Sequence, residues 1–143
     1  MKLRKVISGG QTGADRTGLE CAKELGLETG GIAPKGFRTE LGPDLTLKQF
    51  GVTENGSSSY HPRTLANVLS SDATVWFGNP FSPGGKLTHK YCAQYQKPFL
   101  INPSNLEGIA EEFEVVNIAG NRASTNPAVI EQVREAFKTI KLN

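Results

Sequence analysis

The segment from Leu3 to Gly18 constrains the fold of this chain most, because a short apolar run meets a glycine-rich loop and then a helical stretch. The loop contains Gly9, Gly10 and Gly13. Glycine allows the backbone to turn sharply and to approach a ligand closely. A helix that begins directly after such a loop points its unpaired N–H groups and its positive dipole end at the loop, an arrangement that suits a phosphate. The segment therefore predicts a strand, a loop and a helix that bind a phosphorylated small molecule.

The chain has 143 residues, which fits a single domain spanning residues 1–143. A net charge of +2 is too small to indicate a nucleic-acid partner, and the apolar runs are too short for a membrane span. No apolar segment follows the basic N-terminus, so a secretory leader is not expected. Cys21 and Cys92 are expected to be free buried thiols, and a cytoplasmic location fits both observations.

Short β-like runs alternate with helical stretches along the chain. The predicted strands are Lys5–Ser8, Thr29–Ala33, Ala73–Phe77, Pro98–Ile101 and Glu114–Ile118. The predicted helices are Gly13–Leu25, Arg63–Ser70, Lys86–Gln96, Glu107–Glu111 and Asn126–Lys141. Alternation of this kind indicates a parallel sheet covered by helices on both faces. The fold class is therefore α/β: a single-domain, doubly wound, mostly parallel sheet in a Rossmann-like three-layer arrangement.

The stretch from Pro34 to Ser59 is the least regular, with four glycines and three serines. A long loop within a compact domain is usually functional or mobile, so this one is expected to cover a site or to remain solvated. Further along, Ser124 or Thr125 is the expected N-cap of the last helix, with Pro127 in its first turn.

The first glycine loop supplies the main candidate ligand-binding residues. Gln11 and Thr12 can donate hydrogen bonds, Arg16 can hold an oxyanion in a bidentate fork, and Asp15 can pair with Arg16 or accept from a ligand. The candidates in this loop are Gly9, Gly10, Gln11, Thr12, Gly13, Asp15 and Arg16. A simpler interpretation is a tight turn with Asp15 as a helix cap. The loop matches neither the dinucleotide pattern nor a Walker loop, so NAD is not indicated.

Other candidates follow later strands, whose loops open at the same carboxyl edge of a parallel sheet. After the predicted strand Ala73–Phe77 come Gly84, Gly85, Lys86 and Thr88, and after the last strand come Arg122 and Ser124. Lys35 from the long loop and Arg63 at a helix start could add charge to the site. His61 and His89 are not spaced as a metal site, and no Cys-x-x-Cys pair is present, so a structural metal is not predicted.

The segment Ile7-Ser-Gly-Gly-Gln-Thr-Gly-Ala-Asp-Arg16 closely resembles the opening signature of the molybdenum cofactor carrier family. The resemblance continues in order through most of the chain, at Pro34–Gly36, Tyr60–Thr64, Asn67–Val68, Ser71–Thr74, Gly84–Thr88, Lys97–Pro98 and Asn117–Ser124. Members of this family resemble Rossmann-like proteins that oligomerise and are related in fold to the LOG and lysine-decarboxylase-like proteins. The resemblance implies binding of a phosphorylated pterin cofactor or another nucleotide-like ligand, and a homo-oligomer, either a dimer or a tetramer.

The LOG relatives also provide a comparison for catalysis. Those hydrolases carry Pro-Gly-Gly-x-Gly-Thr-x-x-Glu, whereas this chain has Leu87 in place of the third glycine and Tyr91 in place of the glutamate. A carboxylate is the natural group to assist the loss of a base from a nucleotide. Glu40 or Asp44 could replace the missing group, which leaves a phosphoribohydrolase acting on nucleoside 5'-monophosphates as the alternative.

The sequence thus favours a binding or carrier protein for a phosphorylated heterocycle, with molybdenum cofactor as the candidate cargo. A nucleotide-derived signalling ligand fits the same site. A DNA-processing relative is disfavoured, because the charge is near neutral and no basic-aromatic stripe is present.

Overall fold

The computed structural model describes residues 1–142 and contains a six-stranded sheet whose strands are all parallel. Its strands lie in the order β5-β2-β1-β8-β6-β7. Their bounds are β1 Lys5–Ile7, β2 Glu28–Ala33, β5 Val52–Glu54, β6 Ala73–Phe77, β7 Phe99–Ile101 and β8 Val115–Gly120. A separate antiparallel hairpin is formed by β3, Arg38–Thr39, and β4, Gly42–Pro43.

Five α-helices cover the two faces of the sheet. They are α1 Ala14–Glu24, α2 Tyr60–Leu69, α3 Pro83–Gln94, α4 Glu107–Glu112 and α5 Ala128–Phe137. Helix α1 packs beside α5 on one face, and α2 packs beside α3 on the other. The structure thus confirms the α/β, doubly wound, Rossmann-like three-layer fold expected from the sequence.

The main core lies between the sheet and the α1–α5 layer. Val6, Val75, Val116 and Ile118 from the three central strands are at most 2% exposed. Gly18 allows α1 to lie close to the sheet, because a Cβ at this position would fall 2.8 Å from Cγ2 of Ile118. Strand β8 is the middle of this core, since its register joins it to β1 on one side and to β6 on the other.

The segment Pro34–Ser59, for which the sequence predicts no regular structure, is ordered around a second apolar cluster. It contains the β3–β4 hairpin, 3₁₀ segments at Lys35–Phe37 and Leu45–Phe50, and strand β5. These elements are each six residues or shorter, too short for a periodic signal. The cluster consists of the buried residues Leu19, Ala33, Phe37, Leu47, Phe50 and Val52.

Three helix starts differ from the predictions by two residues or more. Helix α3 begins at Pro83 rather than Lys86, because Ser82 is its N-cap and proline fits the first helical position. Helix α2 begins at Tyr60 rather than Arg63, since Pro62 falls in the first turn, where its missing N–H costs nothing. The expectation that Ser124 or Thr125 caps the last helix is wrong. Helix α5 starts at Ala128 with Pro127 at the N-cap, because residues 122–126 form a preceding turn closed by Asn126 N–H donating to the Arg122 carbonyl.

Both cysteines are buried free thiols, as the sequence predicted. Burial raises the pKa of the Cys21 thiol to about 11, which keeps it protonated and unreactive at neutral pH. Among residues 1–142, none of the helices has the length and hydrophobicity needed to cross a bilayer.

The second apolar cluster gives a test of how firmly the long segment is attached. Leu47 is fully buried, whereas Leu45 in the same 3₁₀ segment is 61% exposed. We expect Leu47→Ala to lower the free energy of unfolding in urea by about 2–4 kcal/mol, because it leaves a cavity in a packed core. The matched control Leu45→Ala is expected to stay within about 0.5 kcal/mol of the native chain. Equal effects of the two substitutions would contradict the inference that Leu47 attaches this segment to the apolar cluster.

Candidate functional site

A cavity of about 610 Å³ opens at the carboxyl edge of the sheet, between α2 and α3. The strand order reverses here, because the chain runs outward from β1 to β5 and then continues on the other side of β8 at β6. Doubly wound folds bind their ligands at this type of position. The walls come from the first turns of α2 and α3 and from the loops after β1, β6 and β8.

The floor of the cavity is formed by residues of the central strands and of the loop after β1. Ala119 on β8 is level with Trp76 on β6, and both line the cavity. Asn117, two residues earlier on β8, pairs with Ile7, the last residue of β1, and Gly9 follows in the loop. The small side chain of Ala119 leaves space above the sheet, whereas Arg63 fills the space over Gly9.

The first glycine loop already holds an anion, the carboxylate of Asp15. This residue is 5% exposed, and its Oδ2 accepts hydrogen bonds from the Gln11 amide at 3.3 Å and from Arg63 Nη1 at 3.2 Å. The Gly9 amide also interacts with this carboxylate. Burial raises the pKa of Asp15, and the charge of Arg63 and these amides oppose the rise. The loop is therefore arranged around an internal carboxylate.

The Gly10 and Thr12 amides of this loop are also engaged within the protein. Gly10 N–H donates to Ser8 Oγ at 3.3 Å, and Thr12 N–H donates to Gln11 Oε1 at 3.0 Å. At the start of α1, the Ala14 amide donates to the Asn121 carbonyl and the Arg16 amide donates to the Gln11 carbonyl. The amides from Gly9 to Thr12 thus have partners within the protein, and these contacts do not favour the expected position of a ligand phosphate over Gly9–Gly13, which stays a prediction.

Arg63 reaches the loop from α2 and passes directly over Gly9. A Cβ on Gly9 would lie 1.5 Å from Arg63 Nη1, so only glycine leaves room for the guanidinium. The Arg63 guanidinium also lies 5.3 Å from the Tyr60 ring centroid, and those of Arg122 and Arg38 lie 5.5 and 4.7 Å from the same ring. Three cations thus surround one phenol ring at the cavity rim.

Arg16, the predicted oxyanion clamp, has a different role in the structure. Its Nη1 lies 2.7 Å from Asp44 Oδ2 and 2.9 Å from Thr46 Oγ1, and its Nε lies 3.6 Å from Glu20. Neither Arg16 nor Asp44 is among the residues that line the cavity. Their ion pair instead fastens the 3₁₀ segment Leu45–Phe50 to helix α1.

Glu40, the other candidate catalytic carboxylate, joins three loops. It accepts hydrogen bonds from the hydroxyls of Thr12 and Ser124 and from the Ser124 amide, while its own amide donates to Gln11 Oε1 at 2.9 Å. The Ser124 hydroxyl, followed by that of Thr12, holds the pKa of Glu40 below its ordinary value. Glu40 is also not among the cavity-lining residues, so it attaches the long segment rather than facing a ligand.

The second glycine loop, between β6 and α3, places the start of α3 at the cavity wall. Ser82 is the N-cap, and its Oγ accepts a hydrogen bond from the Gly85 amide at 3.3 Å. Thr88 donates to the Gly84 carbonyl at 2.8 Å, and both residues line the cavity. Lys86 lies instead in a separate shallow groove beside Phe81 and His89.

The cavity collects about half of the residues predicted for the site. Those that line it are Gly9, Gln11, Asp15, Arg63, Gly84, Thr88 and Arg122. Those placed elsewhere are Gly10, Thr12, Gly13, Arg16, Lys35, Gly85, Lys86 and Ser124. Sequence reasoning missed several polar or aromatic members of the wall: Tyr60, Asn79, Asn117, Asn121 and Asn126. The presence of asparagine after β6 and after β8 was the signal that could have revealed part of this set.

Three buried nitrogen atoms in the wall have no hydrogen-bond partner within residues 1–142. They are Gln11 Nε2, Arg63 Nε and Trp76 Nε1. All three are donors, and all three residues line the cavity. Within the same residues, no group of three or more His, Cys, Asp or Glu side chains is placed to hold a metal ion.

The crowding at Gly9 leads to a direct test. We expect Gly9→Ala to displace Arg63 from Asp15 and to lower the free energy of unfolding by about 1–3 kcal/mol. Gly84→Ala is the matched control, because its Cβ would lie at an ordinary 3.7 Å from Trp76 Cη2. Urea unfolding of both variants compares them. A Gly9→Ala chain as stable as the Gly84→Ala chain would show that Arg63 is not held as described.

The lowered pKa of Glu40 predicts a pH dependence. A carboxyl whose folded-state pKa is depressed stabilises the fold above its unfolded-state value, and this contribution is lost as the pH falls through the folded-state pKa. We expect Glu40→Gln to lower the free energy of unfolding by about 0.5–1.5 kcal/mol at pH 7, the scale of an ordinary hydrogen bond, because water screens this partly exposed group. The effect is expected to shrink as the pH drops below the ordinary value of 4.5. Chemical denaturation across this range measures the difference. The exposed Glu24→Gln serves as control, and a Glu40 effect that is independent of pH would contradict the assignment.

A solved structure of another protein has a similar architecture. The chain resembles the crystal structure named "Putative molybdenum carrier protein from Syntrophus aciditrophicus SB", with 32% sequence identity and a TM-score of 0.86. The match covers 99% of this chain and 96% of that one. No curated protein matches the chain. This neighbour confirms the resemblance to molybdenum carriers noted from the sequence.

The model of the circularly permuted YpsA SLOG family matches residues 6–141. This range includes all the strands except Lys5, the first residue of β1. It also includes all five helices and every residue that lines the cavity. The chain therefore belongs to the circularly permuted YpsA SLOG family.

Proposed function

We propose that this chain binds a phosphorylated heterocyclic metabolite in the cavity between α2 and α3, as a binding or carrier protein. The observation that supports this most strongly is the uneven charge of the cavity wall. Arg63 and Arg122 contribute cationic groups, whereas Asp15, the only carboxylate in the lining among residues 1–142, is already paired with Arg63. This leaves an excess of positive charge, which favours an anionic ligand.

The shape of the cavity supports a ligand larger than a simple ion. Its volume of about 610 Å³ lies within the usual range of about 300–1,000 Å³ for sites that enclose small molecules. Trp76 and Leu87 add apolar surface, while asparagine side chains supply directional hydrogen bonds. A flat ring with a charged substituent would use both kinds of surface.

The start of α3 is the proposed position of the phosphate. In the first turn of α3, Pro83 has no N–H, and the Gly85 and Lys86 amides donate to the hydroxyl and the carbonyl of Ser82. The Gly84 amide, at the cavity wall, is therefore the one that the first turn can offer to a phosphate. Arg122 and Asn79 line the same cavity and can add charge and an amide donor. This placement retains the second glycine loop of the sequence interpretation and assigns the first loop to the Asp15–Arg63 pair.

Molybdenum cofactor, a phosphorylated pterin, is the candidate cargo, because the neighbour from Syntrophus aciditrophicus carries the name of a molybdenum carrier. A nucleotide-derived signalling ligand would use the same phosphate position and ring space. Hydrolysis of such a nucleotide would need a carboxylate directed at the sugar, and Glu40 and Asp44 are both engaged in contacts between loops. Binding is therefore the function that we favour.

Native mass spectrometry of the freshly purified protein tests the proposal most directly. We expect a bound phosphorylated heterocycle to be detected with the folded chain, and the same spectrum gives the subunit count for the expected dimer or tetramer. Incubation with a panel of nucleoside monophosphates, followed by chromatography, detects any released base. Release of base that is lost in Glu40→Gln or Asp44→Asn would favour the hydrolase instead.

Substitution of two arginines distinguishes the phosphate position at the start of α3 from the position over the first glycine loop that the sequence suggested. We expect Arg122→Ala to weaken binding of the co-purified ligand by about 1.5–3 kcal/mol, the scale of a hydrogen bond to a charged group. Arg16→Ala is expected to leave affinity nearly unchanged, because its guanidinium is engaged by Asp44. Isothermal titration calorimetry compares the two. The reverse order of effects would return the phosphate to the first glycine loop.

A further inference from the structure

The unpartnered donors in the wall carry information about the ligand beyond its charge. Gln11 is 4% exposed and Trp76 is 3% exposed, so neither Gln11 Nε2 nor Trp76 Nε1 is simply a surface group. A buried donor that has no hydrogen-bond partner destabilises the fold. Donors gathered around one cavity therefore point to a ligand that offers acceptors.

The orientation of the Gln11 amide is fixed by its other atom. Gln11 Oε1 accepts hydrogen bonds from the Thr12 amide at 3.0 Å and from the Glu40 amide at 2.9 Å. A flipped side chain would place N–H groups against two N–H groups. Nε2 is consequently the atom left without a partner.

Arg63 presents one free edge in the same region. Its Nη1 is engaged by Asp15 at 3.2 Å, while its Nε has no partner within residues 1–142. The Nε–H and Nη2–H bonds of a guanidinium are parallel and form a fork that fits two adjacent acceptors. Since Asp15 already neutralises the charge of Arg63, this edge suits a neutral polar group as well as an anion.

Trp76 lies in a different part of the cavity wall. A Cβ on Gly84 would lie 3.7 Å from Trp76 Cη2, which places the indole beneath the start of α3. Gln11 and Arg63 instead meet at Asp15, to which the Gln11 amide and Arg63 Nη1 both donate. Two of the three donor side chains thus lie together beside Asp15, and the third lies beside Gly84.

We propose that Gln11 and Arg63 recognise the oxo edge of the heterocycle, while Trp76 assists the phosphate at the start of α3. This rests on the proposed function and adds the class of ring: a bicyclic heterocycle with an oxo group beside an acceptor ring nitrogen. The O6 and N7 atoms of a 6-oxopurine form such a pair, and an arginine fork fits them. A 6-aminopurine would direct N–H groups at the donors of Gln11 and Arg63, so it is disfavoured.

Inosine 5'-monophosphate and adenosine 5'-monophosphate are suitable probes, because they share the phosphate and differ mainly in the oxo or amino group at position 6. Calorimetric titration of the native chain is expected to show inosine monophosphate binding about 10-fold more tightly, the scale of one good bidentate pair. Equal affinities, or tighter binding of adenosine monophosphate, would overturn the inference.

Substitutions in these two parts of the wall should have different effects. Gln11→Glu keeps an acceptor for the Thr12 and Glu40 amides but replaces the free donor by an acceptor, so the preference is expected to shift toward adenosine monophosphate. Arg63→Lys removes the fork and is expected to reduce the preference. Trp76→Phe is expected to weaken both nucleotides equally and leave their ratio unchanged. The exposed Gln94→Glu is the charge-matched control, and it should change neither affinity.

The two proposals fail in distinguishable ways. If both nucleotides bind and the ratio does not respond to Gln11→Glu, the ring assignment is wrong while phosphate binding stands. If neither nucleotide binds at millimolar concentration, the oxopurine-like edge is also wrong, and the wider proposal is then judged by the molecule that co-purifies. Absence of any co-purified phosphorylated heterocycle, together with no binding, would remove both proposals.

Discussion

Asp15 is a buried carboxylate in the first turn of α1, held by amides of a loop that resembles an anion site, and Arg63 is the cation that makes its burial tolerable. Burying an unpaired charge is strongly unfavourable, so each partner depends on the other. Their contact requires Gly9, because any larger residue would occupy the position of the guanidinium. The pair joins the start of α1 to helix α2 and leaves Arg63 Nε without a partner among residues 1–142. Much of the site geometry follows from this one interaction.

The long segment between β2 and α2 contributes to the site from outside the cavity. Glu40 connects it to the loop after β1 and to the loop after β8 through Thr12 and Ser124. Arg16 and Asp44 hold it from the side of α1. Because Gln11 Oε1 accepts a hydrogen bond from the Glu40 amide, the position of this segment also sets the orientation of the Gln11 side-chain amide. A charged loop outside the cavity thus determines the polarity of the cavity wall at Gln11.

The fold could be predicted well from the sequence, because β6 and the amphipathic α5 carry strong periodic or apolar signals. Strand β5 could not, since three residues after a left-handed Gly51 give no pattern. The site was predicted in part. Glycine loops indicated the edge of the sheet at which the cavity opens, but sequence cannot show whether an amide in such a loop is free. Asp15 and Arg63 are 48 residues apart, and their pairing reversed the expected roles of Arg16 and the first loop.

The position of β8 in the middle of the sheet has a consequence for how the chain reaches its native state. Val6 pairs with Val116, so the central ladder joins residues that are synthesised 110 positions apart. At about 5–20 residues per second, translation of that interval takes roughly 5–20 s. Until then β1 and β6 each lack a neighbour, and unpaired strand edges are sites of aggregation. Until β8 is synthesised, the nascent chain therefore contains two incomplete half-sheets, each with an exposed strand edge. Chaperones can protect these edges during that interval.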